Sequence, residues 1–546
     1  IIKNHMKVVL KKSLMYCIIY TILIILSQIL YAQSAMININ ARWRTSLNGN
    51  WQVIIDPTGI GDWRQVWLEK KPSSETDFVE YSFEGGPSLN VPGDFNSQMC
   101  ELAFFEGTVW YKKVINYTIK PAKRVFIHFG AVNYIADVYF NGEYLGNHEG
   151  GFTPFQFEIT DKIKNGENNL IVKVNNKRIK DGIPGLGFDW LNYGGITRDV
   201  DLIETNNTYI EDYHIQLKKH ENDKVYGWII LNGNKLSQTI FIKIPELGVN
   251  YKIKSNDAGL AEVNFSAKFT LWSPENPKLY KVIIQSETDT LIDEIGFRNI
   301  EVRKNKILLN NKPIFLKSVN IHEENPLKES RACSEEDARL LLNWAKELGC
   351  NMVRLAHYPH NEYIIRMAEK MGIMIWSELP IYQHIEFSSP DVIKKMELMM
   401  KEMLRRDRNR CAIIIWSLSN ETFSYTPNRD DALIELTQKC RAIDSTRLIT
   451  SVINDQGYDN NTLYVWDTLY NYLDIISLNE YIGWYVAWQG KPEELKCKFG
   501  VDEKPVFISE FGGEALYGSN YGPKDEAAYW SEEYQENIYK NQIINV

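Results

Sequence analysis

The sequence predicts a three-domain chain: a jelly-roll-like β-sandwich, an immunoglobulin-like β-sandwich, and a (β/α)8 TIM barrel lacking its last strand. Three observations carry this expectation. At 546 residues the chain is longer than an ordinary single domain. Up to about residue 300 the chain consists of short alternating runs broken by Gly, Asn and Pro, which is the pattern of antiparallel sheets. After Arg303 the rhythm changes to strand, helix, strand, the alternation that builds a parallel barrel.

Residues 6–32 begin with Lys7, Lys11 and Lys12, pass through an apolar stretch over 14–30, and end at Tyr31-Ala32-Gln33. This is the layout of a secretory signal peptide, and the five residues before Met6 read as upstream translated sequence. No basic cluster follows to halt transfer. Cleavage near Ala32 is therefore expected rather than a lasting membrane span, and with it a secreted or periplasmic location in a bacterium.

Residues 41–205 contain RVFIHFG, IADVYFNGEYLG and NNLIVKVNN, strands of an antiparallel sandwich. Residues 206–300 contain YGWIIL, TIFIKI and KLYKVIIQ within the length of one immunoglobulin-like sandwich. In the barrel, residues 301–546, strands are expected at 314–320, 352–357, 373–379, 411–421, 447–453, 473–481 and 505–511. Helices fit between most of them. SEEDARLLLNWAKELG opens with acidic residues and DVIKKMELMMKEMLRRD ends with basic ones, as the helix dipole favours. A last helix is expected over 524–541. Seven strands are counted where a closed barrel of this type has eight, so the eighth is expected beyond residue 546, and the chain as it stands is expected to be an incomplete barrel of low activity.

A net charge of -9 with no basic run argues against a nucleic-acid partner. Fifteen Trp and thirty Tyr suit carbohydrate surfaces as well as apolar cores. Beyond the leader stand Cys100, Cys333, Cys350, Cys411, Cys440 and Cys497, without CxxC spacing. Neither a zinc site nor a dense disulfide framework is indicated, and a few pairs remain open. No cofactor is expected.

The chemistry gathers at two carboxylates. Glu421 closes CAIIIWSLSNE and Glu510 closes PVFISE, each at the carboxyl end of a continuous apolar run. In a parallel barrel the reactive groups collect at that end. Two carboxyl groups there suit glycoside chemistry, in which one protonates the leaving oxygen and the other attacks the anomeric carbon or activates water. The alternative is that they merely brace the barrel.

The phrases LNGNW, VPGDFN, EGTVWYKK, DWLNYGGITRDV, LWSPENPKLY, NIHEENP, RLAHYPH, RDRNRCAIIIWSLSNE and ISEFGG follow in order from about Leu47 to the end. In these the chain resembles glycoside hydrolase family 2. LDIISLNEYIGWY and WSEEYQENIY are similar to the β-glucuronidases of that family, with its β-galactosidases second. The resemblance implies an exo-acting, retaining β-glycoside hydrolase with Glu421 as acid/base and Glu510 as nucleophile. Arg354 would lower the pKa of Glu510 or serve only as a barrel arginine. Asn420 would bind the sugar 2-hydroxyl, and His322 and His357 would be sugar ligands unless they are plain core histidines. Asn479, Tyr481 and Tyr485 would line the sugar site, Tyr485 with an alternative as a surface residue. Asp189 would reach the pocket from the sandwich or only brace the interface. Glu378, Asp199 and Glu323 are expected to support the fold. Glucuronidases of the family also carry an Asn-x-Lys motif that grips the substrate carboxylate, expected here beyond residue 546. A carbohydrate substrate is implied, a homo-oligomer stays open, and the rival reading is an inactive or carbohydrate-binding fragment.

Overall fold

The computed structural model describes residues 32–70, 74, 81–454, 456–520 and 528–544. The expected leader lies outside them except for Ala32. Among the described residues no helix is long and apolar enough to cross a membrane.

The first domain is a sandwich of two antiparallel sheets. One has five strands, including Lys123–Phe129 and Val200–Asn206; the other has six, centred on Thr108–Tyr117 and Gly166–Asn175. Alternate side chains of facing strands, among them Trp51, Tyr111, Ile127, Phe129 and Val172, meet in one dry core. The second domain packs a three-stranded sheet on a four-stranded one, the seven strands of an immunoglobulin-like sandwich. Its strand Thr239–Ile244 buries every second residue, and Val249–Lys254 half-buries every second one.

The barrel follows. Its strands are β1 (Ser318–Ile321), β2 (Met352–Leu355), β3 (Met374–Glu378), β4 (Ile413–Asn420), β5 (Leu448–Ile453), β6 (Ile476–Asn479) and β7 (Val506–Glu510). All pair in parallel in that order. Strands β2 to β6 are buried along their whole length, which is why they read as unbroken apolar runs. Among the described residues no backbone pairing joins β1 to β7, and the side chain of Asn320 bridges that seam by donating to the Ser509 carbonyl at 3.0 Å.

Among the described residues five α-helices accompany the barrel: α1 (Glu335–Glu347), α2 (Glu362–Met371), α3 (Pro390–Asp407), α4 (Arg429–Ile443) and α5 (Glu532–Ile543). A capping box between Ser334 and Asp337 starts α1. Two boundaries differ from expectation. The run expected at 314–320 joins the barrel only over Ser318–Ile321, because the chain just before it is taken up in the hairpin that Lys312–Pro313 forms with Lys306–Leu309. The last helix starts at Glu532 rather than 524, because Ser531 caps it by accepting from the Tyr534 N–H at 3.2 Å. The six cysteines are all free.

Candidate active site

Two irregularities in strand pairing aim the site. The β4/β5 register shifts between Ser417 and Asn420, and the β6/β7 register shifts between Leu478 and Asn479, which sets Asn479 opposite Glu510. Such bulges redirect side chains at the rim of a barrel. Just after β4, Glu421 has φ 54°, a left-handed backbone that a glutamate seldom adopts. Its carboxyl accepts from Asn479 Nδ2 at 2.8 Å through Oε1 and from Gln383 Nε2 at 3.1 Å through Oε2.

Glu510 ends β7. Its Oε1 accepts from Arg354 Nη1 at 2.6 Å, and its Oε2 accepts from the Tyr481 hydroxyl at 2.6 Å. Arg354, fully buried on β2, also donates to Glu378 at 2.7 Å and to Asn420 Oδ1 at 2.8 Å. One guanidinium therefore holds the nucleophile candidate, the residue before the acid candidate, and a buried carboxylate behind both. Glu378 takes further hydrogen bonds from the His357 N–H at 3.0 Å and from Trp376 Nε1 at 2.9 Å. It has no exposure at all and supports Arg354.

The two carboxyls are driven apart in acidity. Burial raises the pKa of Glu421, and the nearby charge of Glu510 raises it further, so its proton is held above the usual carboxylate range. Burial also acts to raise Glu510, but the Arg354 charge and the hydrogen bonds from Tyr481 and Arg354 outweigh it, and the net shift is downward. The pair is thereby biased toward a protonated Glu421 beside an ionised Glu510. The Tyr481 phenol is pushed up by burial and then by Glu510, so it stays a donor. His322 is lowered to about 3 by burial and by its cationic neighbours, which keeps the imidazole neutral.

Asn420 has a donor to spare: its Oδ1 is taken by Arg354, while its buried Nδ2 has no hydrogen-bond partner. Trp190, from the first sandwich, stacks on His357 with ring centroids 5.4 Å apart and 11° between planes, and meets Tyr382 edge-on at 5.2 Å. This places a sandwich loop as one wall of the barrel mouth. Asp189 beside it is exposed and acts on the Tyr382 phenol, whose pKa rises through burial, then Glu421, then Asp189. Tyr485 is 73% exposed and lies edge-on to Tyr481 at 5.1 Å. The structure therefore gathers Arg354, His357, Asn420, Glu421, Asn479, Tyr481 and Glu510 into one cluster flanked by His322, with Asp189 and Tyr485 at its rim.

Comparisons with known proteins bear on the domains that carry this cluster. Three family models match in sequence: the glycosyl hydrolases family 2 sugar-binding domain at 44–206, the glycosyl hydrolases family 2 domain at 208–298, and the glycosyl hydrolases family 2 TIM barrel domain at 300–545. The chain belongs to glycoside hydrolase family 2. It is 28% identical over 514 residues to the β-glucuronidase of Rattus norvegicus, covering 84% of this chain and 76% of that one. With the human β-glucuronidase it shares 26% over 526 residues, covering 85% and 78%. Among solved structures, the Ruminococcus gnavus β-glucuronidase in complex with D-glucuronic acid superposes with a TM-score of 0.77 at 25% identity, covering 94% and 90%. An uncultured Clostridium β-glucuronidase gives 0.78 at 25%, with the same coverage. The protein is a glycoside hydrolase built on the three-domain plan of family 2.

Sequence reasoning missed several residues of this family 2 site. Gln383 bonds the outer oxygen of Glu421, and Ser509 donates to Asn479 Oδ1 at 2.8 Å, turning the Asn479 amide so that its Nδ2 faces Glu421. Neither sits at a strand end of its own, so no periodicity marked them. Trp190 stood next to Asp189 in DWLNYGG, and that tryptophan was the available signal. Glu323 and Asp199 lie at the domain interface. Glu323 pairs with Arg198 at 3.1 Å and Arg331 at 2.5 Å, and Asp199 accepts from Asn48 and Tyr363.

Proposed function

We propose that this hydrolase is an exo-acting, retaining β-glucuronidase working by double displacement through Glu510 and Glu421. The observation that carries the reading is the split between the two strand-end carboxyls, one held ionised by Arg354 and the other biased toward its protonated form. Glu510 attacks the anomeric carbon as the glycosidic C–O bond breaks, and Glu421 gives its proton to the departing oxygen. A β-glycoside becomes an α-linked glycosyl ester on Glu510. Glu421, now a carboxylate, takes a proton from water; the water oxygen bonds to the anomeric carbon and Glu510 leaves. Net β configuration is retained. The free Asn420 Nδ2 is positioned to donate to the sugar 2-hydroxyl, a contact that strengthens in the transition state.

Support for exo action comes from the sandwich loop, whose Trp190 closes one side of the mouth. Support for a uronic acid glycone comes from the relatives, which are β-glucuronidases, and from the signature residues at and just after the sixth strand: Asn479 and Tyr481 bond the two carboxyls, and Tyr485 lies edge-on to Tyr481 at the rim. Matched nitrophenyl β-glucuronide and β-galactoside test it. A higher kcat/KM on the glucuronide is expected, and preference for the galactoside sinks the glycone assignment.

The acid role has its own signature. Glu421→Gln is expected to lower activity by roughly 10²- to 10⁴-fold on an alkyl glycoside, whose oxygen must be protonated to leave, and far less on a nitrophenyl glycoside. Equal losses on both would remove the acid role. The proposal extends to export: expression with the intact leader in a bacterial host should deliver a mature chain beginning at or near Gln33, read by N-terminal sequencing. An uncleaved chain that stays with the membrane would contradict it.

A further inference from the structure

The loop following the acid candidate carries aromatic residues that the chemistry at Glu421 and Glu510 does not use. Phe423 and Tyr425 stack with ring centroids 5.3 Å apart and 17° between planes. The His384 imidazole lies against the other part of Phe423 at 4.7 Å. Tyr425 is 74% exposed, His384 is exposed and Phe423 is half-buried, so the three form a solvent-facing aromatic strip.

Its position follows from the chain. Phe423 comes two residues after Glu421, and His384 comes one residue after Gln383, the side chain that bonds Glu421 Oε2. The two segments are tied together by backbone bonds, with Asn420 N–H donating to the Ile381 carbonyl at 2.9 Å and Gln383 N–H to the Asn420 carbonyl at 3.0 Å. The segments that carry the strip are therefore the same two that hold the acid. A leaving group must meet the acid with its oxygen, so whatever that oxygen is attached to lies on the acid's side of the anomeric carbon.

The strip is also held in place before any ligand arrives. Arg429, fully buried, donates to Thr422 Oγ1 at 3.1 Å and pairs with Asp467 at 2.8 Å. Asn428 Nδ2 donates to Ser388 Oγ at 3.2 Å, linking the loop after β4 to the loop after β3. The sandwich loop backs His384 closely: a Cβ on Gly185 would fall 2.5 Å from the His384 carbonyl oxygen, so only glycine fits there. An anchored, exposed ring pair is a low-entropy binding surface.

We propose that Phe423, Tyr425 and His384 form a leaving-group subsite that takes a pyranose ring, so that the natural substrate is a saccharide whose terminal sugar is β-linked to a second sugar. This rests on the reading of Glu421 as the acid. A pyranose offers an apolar C–H face to the Tyr425 ring and hydroxyls at its edge. The strip matches that division, since the two carbocyclic rings offer apolar faces while the His384 imidazole and the Tyr425 hydroxyl offer polar edges.

The test uses the full chain and three β-glucuronides that share one glycone: the methyl glycoside, a disaccharide and the nitrophenyl glycoside. Tyr425→Ala and Phe423→Ala are expected to lower kcat/KM on the disaccharide by roughly 3- to 10-fold relative to the methyl glycoside, and Tyr425→Phe to restore most of it. Equal losses on methyl glycoside and disaccharide, or no loss on either, would overturn the proposal. A loss confined to the nitrophenyl glycoside would overturn it in favour of a planar aromatic aglycone. If wild-type enzyme acts on the galactoside series instead, the same ratios are measured there; the glycone reading then falls while the subsite stands or falls on its own ratio. Tyr425 is exposed, so its replacement leaves the fold intact, and circular dichroism checks this.

Discussion

Glu510→Gln is expected to lower kcat on β-glycosides by on the order of 10⁵-fold, the scale of removing a nucleophile from a preorganised site. The amide keeps the shape of the side chain and a carbonyl oxygen for Arg354, while the Tyr481 hydroxyl can turn to accept from the amide NH2, but the amide cannot form a glycosyl ester. The fold should persist, because Arg354 keeps its ion pair with Glu378 at 2.7 Å. The shorter Glu510→Ala variant adds a positive sign of the role. It opens room for azide beside Arg354, and azide attack from the face that Glu510 uses yields an α-glycosyl azide. Single-turnover kinetics and proton NMR of the product check both statements. A Glu510→Gln enzyme within tenfold of wild type, or a β-configured azide, would exclude Glu510 as nucleophile.

Arg354→Met is expected to damage stability and activity together. It leaves Glu378 with no exposure and without its guanidinium partner, and breaking a buried pair from one side costs about 3–5 kcal/mol. The barrel transition should fall by roughly 10 °C on that basis. Burial works to raise the Glu378 pKa, yet Arg354 above all brings it to about 2, so without the arginine this carboxyl takes up a proton on folding. Adding Glu378→Gln should recover much of the lost stability, because it removes the stranded charge. Activity should not return with it. Glu510 owes its lowered pKa to the same arginine, so its pKa rises in Arg354→Met. Attack needs the carboxylate; activity is lost as pH falls through the Glu510 pKa, so the acidic limb of the pH profile moves to higher pH. A pH profile and a melting curve on the single and double variants decide the matter. An unshifted acidic limb would mean that Arg354 does not set the ionisation of Glu510.

The positions of Glu421 and Glu510 could be read from the chain because burial on both faces makes a parallel strand a continuous apolar word, and barrel chemistry stands where that word ends. Arg354, Asn420, Asn479 and Tyr481 came from the resemblance to family 2, and the change of rhythm after Arg303 separated sandwich from barrel. Contacts between distant segments were not legible. Gln383 lies in a connection with no periodicity, Trp190 arrives from another domain, and Ser509 acts through the amide of Asn479. Nor could the chain alone distinguish the acid from the nucleophile, since two strand-end glutamates are chemically identical in one dimension. Only folding brings Arg354 and Tyr481 onto Glu510 while leaving Glu421 with two neutral amides and a neighbouring negative charge. An ionisation equilibrium depends on charges and dipoles a few ångströms away in space, whatever their separation along the chain, and that is why the difference in acidity between the two carboxyls was decided by the tertiary structure.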